Sequence, residues 1–213
     1  MTLDASLKDS LTKSARKYAD SLAGTPGESY LEGRGIGSDV SATFLLGYVA
    51  DPDPGHQQFE GMLSIPYVTP TGVVSFKFRR LTGAGHKYDQ PAGQTSRLYN
   101  VRALREHSDF ILICEGEIDA VVAHGVCGLP AIGLPGVNNW KPHFPLVFEG
   151  YSRVYVLGDN DIKDDGSNPG QDMAKRVMQD LPQAVNILLP PGRDVNEFVV
   201  ENGKSALADL VGV

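Results

Sequence analysis

Phe110-Ile111-Leu112-Ile113-Cys114-Glu115-Gly116-Glu117-Ile118-Asp119 sets five apolar residues directly before three carboxylates. The apolar run has the length of a buried strand, and the acids open whatever follows it. The pattern returns. Arg153–Leu157 precedes Asp159-Asn160-Asp161, and Val185–Leu189 precedes Arg193-Asp194-Val195-Asn196-Glu197 across a Pro190-Pro191-Gly192 turn. Carboxylates at the C-terminal ends of parallel strands converge on one crevice of an open α/β sheet, where ligands bind. Several carboxylates in one crevice repel one another unless cations sit between them. Hard oxygen donors with no accompanying His or Cys favour Mg²⁺ or Mn²⁺.

Working outward, the second half alternates strands with helices: Phe110–Cys114, a helix from Ile118 to about His124, Ala131–Leu134, Arg153–Leu157, a helix from about Gln171 to Leu181, then Val185–Leu189. Helices near Val195–Glu201 and Ser205–Val211 complete it. This alternation predicts a mostly parallel sheet with helices on both faces. The first half reads differently. Leu3, Leu7, Leu11, Ala15, Tyr18 and Leu22 recur at steps of three or four, which predicts an amphipathic helix over Thr2–Ala23, ended by Gly24 and Pro26-Gly27. Its narrow apolar face suits weak docking or a partner. Short helices follow at Glu28–Glu32 and from Ser38 to about Leu46. Met62–Val68 and Val73–Arg80, around Pro70-Thr71-Gly72, read as a β-hairpin. On its second strand Val74, Phe76 and Phe78 alternate with Ser75, Lys77 and Arg79, so one face is buried and the other basic. Thr82–Gln94 reads as an exposed loop. Composition and charge both shift near Glu106, giving three expected segments: 1–27, 28–106 and 107–213.

A chain of 213 residues with 41% hydrophobic and 21% charged residues is ordinary for a globular protein. No apolar stretch is long enough to span a membrane, and the polar N-terminus is not a secretory signal. Two isolated cysteines, Cys114 and Cys127, fit a reducing cytoplasm, and without a CxxC pair no zinc ribbon is expected. The net charge of −7 argues against a nucleic-acid binder until its distribution is read. Residues 1–105 carry 12 Lys+Arg against 10 Asp+Glu, and residues 106–213 carry 7 against 16. Lys77–Arg105 holds Lys77, Arg79, Arg80, Lys87, Arg97, Arg102 and Arg105 with Asp89 as its only acid. A basic strip joined to an acidic half suits a polyanion held beside divalent ions. Taken alone, the strip reads better as a solvated surface that happens to be basic.

Each acidic cluster also has a structural explanation. Glu117 and Asp119 complement a helix dipole, Asp159-Asn160-Asp161 makes a turn, and Asp194 caps a helix. Three in succession, each after a strand, ask for more. Glu115-Gly-x-x-Asp119 followed by Asp159-x-Asp161 resembles the TOPRIM signature of bacterial-type primases, type IA and type II topoisomerases and small nucleases. Tyr30-Leu31-x-x-Arg34-Gly35-Ile36, Phe44-x-Leu46-Gly47-Tyr48, Ile65-Pro66-Tyr67, Gly72-Val73-Val74-x-Phe76, Arg79 or Arg80, Lys87-Tyr88 and Leu98-Tyr99-Asn100 are similar, in that order, to the RNA-polymerase core of bacterial and phage primases. Arg193-Asp194-x-Asn196-Glu197 resembles the third acidic motif of phage primase-helicases. The resemblance implies a Rossmann-like TOPRIM domain preceded by a smaller α+β primase subdomain. The chain departs from the family in two places: Ile162–Pro169 lengthens the turn after Asp161, and Asn196 stands where many cellular primases have Asp.

The resemblance further implies a nucleotidyltransferase that makes RNA primers on single-stranded DNA with Mg²⁺ or Mn²⁺. Asp159, Asp161, Asp194 and Asn196 are then the expected metal ligands, with Asp165 a weaker candidate. Glu115 is expected to activate the attacking hydroxyl or position a metal-bound water, and Asp119 to hold such a water or orient a neighbouring base. Arg34, Lys77, Arg79, Arg80, Lys87 and Arg102 are expected to meet phosphates, with Tyr88 either stacking on a base or packing as an ordinary aromatic. Gly133–Gly136 is a candidate phosphate turn, and His124 and His143 read as packing or surface residues. Implied partners are single-stranded template, ribonucleoside triphosphates, a replicative helicase and a separately encoded zinc-ribbon protein; no GxxxxGK[ST] helicase motif occurs. The rival readings are a TOPRIM nuclease, a topoisomerase fragment, and a weakly catalytic single-stranded-DNA-binding subunit.

Overall fold

The periodic N-terminal segment forms α1 over Ala5–Asp20, with the Asp4 carboxylate accepting from Ser6 N–H at its start. The computed structural model describes residues 3–213, so Met1 and Thr2, where the expected helix began, lie outside the described residues. The helix is not a separate segment: Ala15 and Tyr18 enter one core with Phe59, Met62, Val73, Phe76 and Phe78. Gly47 lies so close to the backbone of Tyr18 and Ala19 that any Cβ there would collide with it. At the polar edge Lys17 pairs with Asp51 and Asp53, 2.7 and 2.8 Å away, and Ser14 also donates to Asp53.

Pro26–Gly33 forms α2 with Thr25 as its cap and Pro26 in the first turn, where a missing N–H costs nothing. Ser38–Thr43 forms α3; Gly37 rather than Ser38 is its N-cap. Next comes an antiparallel sheet in the order β1 (Gly47–Tyr48), β2 (Leu63–Thr69), β3 (Gly72–Arg79) and β4 (Tyr88–Asp89). The hairpin register pairs Ser64 with Phe78 and Pro66 with Phe76. Pro66 has no ladder N–H to give, and β1 pairs only with Leu63 and Ser64, so at Pro66 that side of β2 is an edge.

The chain divides between Thr95 and Ser96, ten residues before the composition shift. The reason is a long-range backbone pairing. Tyr99 forms an antiparallel bridge with Gly133, with N···O distances of 2.8 and 3.2 Å, and a 3₁₀ turn follows at Val101–Arg105. Arg97, Arg102 and Arg105 therefore belong to the second unit. The first unit is left with 9 Lys+Arg against 10 Asp+Glu, so its basic character is a local cluster and not a property of the whole unit.

The second unit is a parallel sheet in the order β6-β5-β7-β8, built from β5 (Phe110–Cys114), β6 (Ala131–Gly133), β7 (Arg153–Leu157) and β8 (Ala184–Asn186). Between them run α4 (Glu117–Val121) and α5 (Pro169–Asp180), and α6 (Val195–Asn202) and α7 (Ala206–Val211) close the chain. Ile111, Ile113, Val154 and Val156 pack with Met173, Ala174 and Val177 of α5. Leu112, Cys114 and Leu157 alternate to the opposite face and are fully buried too, so both faces are covered. The expected helix from Ile118 to His124 is shorter than its pattern: after Val121 the backbone widens into a π-turn over Val122–Val126. β8 also stops at Asn186, short of Leu189.

Candidate functional site

Glu115 is the first residue past β5 and Asp159 lies two past β7, and these strands are hydrogen-bonded neighbours in the sheet. The two strand ends therefore deliver their acids side by side. Asp159 N–H donates to Glu115 Oε2 at 3.0 Å, which fixes the carboxylate against the neighbouring turn. Burial pushes the Glu115 carboxyl above the usual range. The charges of Asp194 and Asp161 add to that shift, while the Asp159 N–H bond and the Lys163 ammonium oppose it. A carboxylate so placed is a stronger base than an exposed one.

The third cluster is drawn in by backbone. Asn160 N–H donates to Arg193 C=O at 3.1 Å, Gly192 N–H returns to Asn160 C=O at 2.6 Å, and Asn160 Nδ2 reaches Leu189 C=O at 2.6 Å. Asn160 is thus the tie between the second and third clusters, a role hidden in the sequence between two more conspicuous aspartates. Asp194 caps α6, its Oδ1 accepting Glu197 N–H at 2.6 Å. Asp119 Oδ1 accepts Asn196 N–H at 3.2 Å, joining the first cluster to the third. Asn196 itself is buried in the first turn of α6. The capping and dipole readings of Asp194 and Asp119 describe real contacts, and each of these contacts also holds a cluster in place.

Glycine makes the convergence possible. A Cβ on Gly170, at the start of α5, would stand 2.5 Å from Glu115 Oε2 and collide with the Asp159 backbone; one on Gly158 would strike Gly170 in turn. Gln171 completes the seam, its Nε2 donating to Gly158 C=O at 3.3 Å and its Oε1 accepting from Asn186 at 2.8 Å.

Asp161 is exposed, and the ammonium of Lys163 is bonded to its carboxylate. Lys163 also feels the charges of Asp159 and Glu115. The donors are oxygens alone and a cation of the protein already stands among them, so the residues fit a hard divalent ion in chemistry. They are not a ready-made cage: among the described residues no three His, Cys, Asp or Glu side chains stand together as a metal group. Asp165, the weaker candidate, is spent on its own turn, where Oδ1 accepts from Ser167 N–H at 3.0 Å and Ser167 Oγ at 2.6 Å.

The cations of the first unit form a cluster of their own. Arg79, on β3, lies with its guanidinium 4.5 Å from the Tyr30 ring centre and 5.1 Å from that of Tyr88, and its Nη1 donates to Tyr88 Oη at 2.7 Å. The expected exposed basic face of β3 is thus covered at Arg79, which is 9% exposed. Its Nε finds no acceptor among the described residues, a buried donor that asks for an anion. Lys77 sits 4.6 Å and Lys87 5.8 Å from the Tyr88 ring centre, and Arg34 lies 5.6 Å from that of Tyr30. Arg80 follows β3, its N–H donating to Lys87 C=O at 3.0 Å. Tyr88 therefore serves as a bed for cations. Tyr30, which drew notice only as part of a motif, shares that task.

Arg102 belongs to the second unit. Its Nε donates to Asn100 Oδ1 at 2.9 Å, while Asn100, at φ +58°, reaches His124 Nδ1 at 2.5 Å. His124 Nε2 in turn lies 2.9 Å from Glu106. His124 is therefore one link of a polar chain on the π-turn. Gly133 presses against the Gly116 carbonyl, which gives the glycine at the end of β6 a packing role.

A Toprim domain model matches residues 110–205. The Gene 57 protein of Mycobacterium phage D29 is 40% identical over 158 residues, covering 72% of this chain and 99% of that protein. A DNA primase of Neisseria meningitidis (serogroup A, strain Z2491) is 24% identical across 91% of this chain, which spans 39% of that primase's length. The RNA polymerase domain of Mycobacterium tuberculosis primase DnaG, solved in complex with double-stranded DNA, superposes with a TM-score of 0.78 at 19% identity, covering 100% of this chain and 81% of that one.

Proposed function

We propose that this chain, which carries a Toprim domain over residues 110–205 and has the fold of the DnaG catalytic core, is a DNA-dependent RNA polymerase. It joins ribonucleotides into short primers on single-stranded DNA. The observation that carries this reading is the pairing of Glu115 with the Asp159 peptide at two adjacent strand ends, with Asp161 and Asp194 close enough to raise the Glu115 carboxyl. In the reaction a 3′-hydroxyl oxygen bonds to the α-phosphorus of a triphosphate, the bond to the leaving oxygen breaks, and pyrophosphate departs.

Glu115 takes the hydroxyl proton, which its buried setting favours. Asp119 and Asp159 hold the strand-end turns in register through the Asn196 N–H and the Glu115 carboxylate. Asp159, Asp161 and Asp194, with Asn196 as a neutral oxygen donor, are the residues that would hold Mg²⁺ or Mn²⁺, and the ion would supply neutralisation of phosphate charge. Arg34, Lys77, Arg79, Arg80 and Lys87 bind phosphates of template and triphosphate, the buried Nε atoms of Arg79 and Arg80 being donors with no acceptor among the described residues. Arg102, held by Asn100, is a further phosphate ligand. We place the protein in the cytoplasm; no helix among the described residues is long and apolar enough to cross a membrane. A helicase and a zinc-ribbon protein acting in trans belong to the same proposal.

Labelled ribonucleotides, single-stranded DNA and Mg²⁺ or Mn²⁺ test it, with wild type set against the Asp159→Ala, Asp161→Ala double variant. Primers from wild type, and a loss of about a hundredfold or more in the variant, are expected. Equal synthesis by both proteins refutes the ligand assignment. One second reading is a weakly catalytic subunit that binds single-stranded DNA through the cations gathered around Tyr30 and Tyr88. No product from wild type, even with a zinc-ribbon protein supplied, leaves that reading standing. Shortening of the DNA strand, end-labelled in a parallel reaction, identifies a nuclease instead.

A further inference from the structure

Ile162–Pro169, the stretch that lengthens the turn after Asp161, brings a cation to the acids. Its backbone is closed and pinned. Lys163 N–H donates to Ser167 C=O at 2.8 Å, and Gly166 N–H to Lys163 C=O at 2.8 Å. Asp165 binds Ser167 across the turn. At its base Asn168 Nδ2 donates to Asn160 Oδ1 at 3.0 Å, while Asn168 Oδ1 caps α5. From that fixed turn the Lys163 side chain reaches back to Asp161. Both partners of the pair remain about half exposed, at 52% and 56%. An ion pair so wet holds its partners loosely, and either can be drawn away. A divalent cation carries twice the charge of an ammonium and binds the same carboxylate oxygens directly.

We infer that Lys163 is a tethered counter-cation of the acidic site: it occupies Asp161 in the metal-free protein and competes there with the divalent ion. The inference rests on the reading of Asp159 and Asp161 as metal ligands. Its consequence is an ion requirement set higher than the carboxylates alone would give. Like charges cannot share one carboxylate cheaply, so the ammonium leaves Asp161 when the ion arrives. The closed turn keeps it at hand to return when the ion leaves.

Mn²⁺ binding to the full chain, followed by the electron paramagnetic resonance signal of free ion, tests this without any turnover. Lys163→Ala is expected to bind Mn²⁺ about two- to fivefold more tightly than wild type, as befits the loss of an exposed ion pair. Lys163→Arg keeps the cation and is expected to bind as wild type does. Asp161→Asn removes the shared carboxylate; the further change Lys163→Ala in that background is expected to add distinctly less than it does in the wild type, only the weaker effect of the Lys163 charge on Asp159 and Glu115 remaining. Equal or weaker binding by Lys163→Ala overturns the inference, as does the same gain in the Asp161→Asn background. No Mn²⁺ bound by any variant overturns it together with the ligand assignment. A Mn²⁺ shift without primer synthesis supports the inference while refuting the polymerase reading, so the two fail separately. Thermal unfolding of each variant shows that an altered affinity is not an altered fold.

Discussion

Arg79 in the first unit and Glu115 in the second are both drawn largely out of water, and they are held by different means. Arg79 lies between two tyrosine rings and bonds a tyrosine hydroxyl. Glu115 is held by a peptide N–H from the next strand's turn, at a spot kept clear by glycine. Rings are broad, forgiving surfaces that attract a cation from many angles. A peptide N–H points one way, and its place is set by the sheet. The first arrangement therefore suits a ligand of variable sequence and shape, and the second suits a reaction that needs fixed atoms. Substitutions should accordingly grade affinity in the first unit and switch chemistry off in the second.

The sharpest way to break this contrast is Glu115→Gln. If Glu115 is the base, primer synthesis falls by about a hundredfold or more. Burial raises its carboxyl above the ordinary 4.5, so the wild-type rate declines toward acid pH at a value above 4.5. Residual activity of the variant should lack that decline; a decline that survives the substitution assigns proton transfer elsewhere.

Next in size is Gly170→Ala. The new Cβ meets the Asp159 backbone and Glu115, at a cost of about 1–3 kcal/mol in urea unfolding. A variant as stable as wild type would show that the strand-end seam yields, and the claim of fixed atoms would fail with it.

Arg79→Ala tests the forgiving side. Single-stranded DNA affinity should fall about tenfold, with a salt dependence shallower by roughly 0.7. A thousandfold loss would make the first unit as exacting as the second.

The smallest effect belongs to Asp53→Asn, which touches only the attachment of α1. The bonds from Lys17 and Ser14 hold the Asp53 carboxyl below its ordinary 3.8, so its contribution to stability is present above 3.8 and is lost as pH falls further, through the lowered value. The variant should melt a few degrees below wild type at pH 7, and the gap should close in acid. A gap that persists at low pH would show that the contact is not electrostatic.

What the sequence disclosed and what it withheld follow the same division. The strand ends bearing Glu115, Asp159 and Asp161 were legible because an apolar run followed by acids is a local signal. So was the hairpin around Pro70-Thr71-Gly72, whose turn chemistry is local too. The unit boundary was not legible: it turns on the Tyr99–Gly133 bridge, a pairing of distant backbones that neither residue's neighbourhood announces. The burial of Arg79 depends on Tyr30, which reaches it from another element, so β3 alternation alone mistook its face for an open one. In the lengthened turn Asp165 drew attention as a ligand, yet the contact to the site comes from Lys163. Asn160, read from the sequence only as part of a turn between two aspartates, carries three of the bonds that bring the clusters together.

The Asn168–Asn160 bond closes that turn at its base, next to the acids, and the Lys163–Ser167 bond closes it again below a short exposed crest. The entropy of closing a loop grows only slowly with its length, so added residues there would cost little as long as the two asparagines stay paired. Asp164 and Gly166 at the crest are exposed. A fluorophore attached at that crest would sit close to the proposed cation site without displacing a strand or helix, and would turn the arrival of an ion there into a change of light.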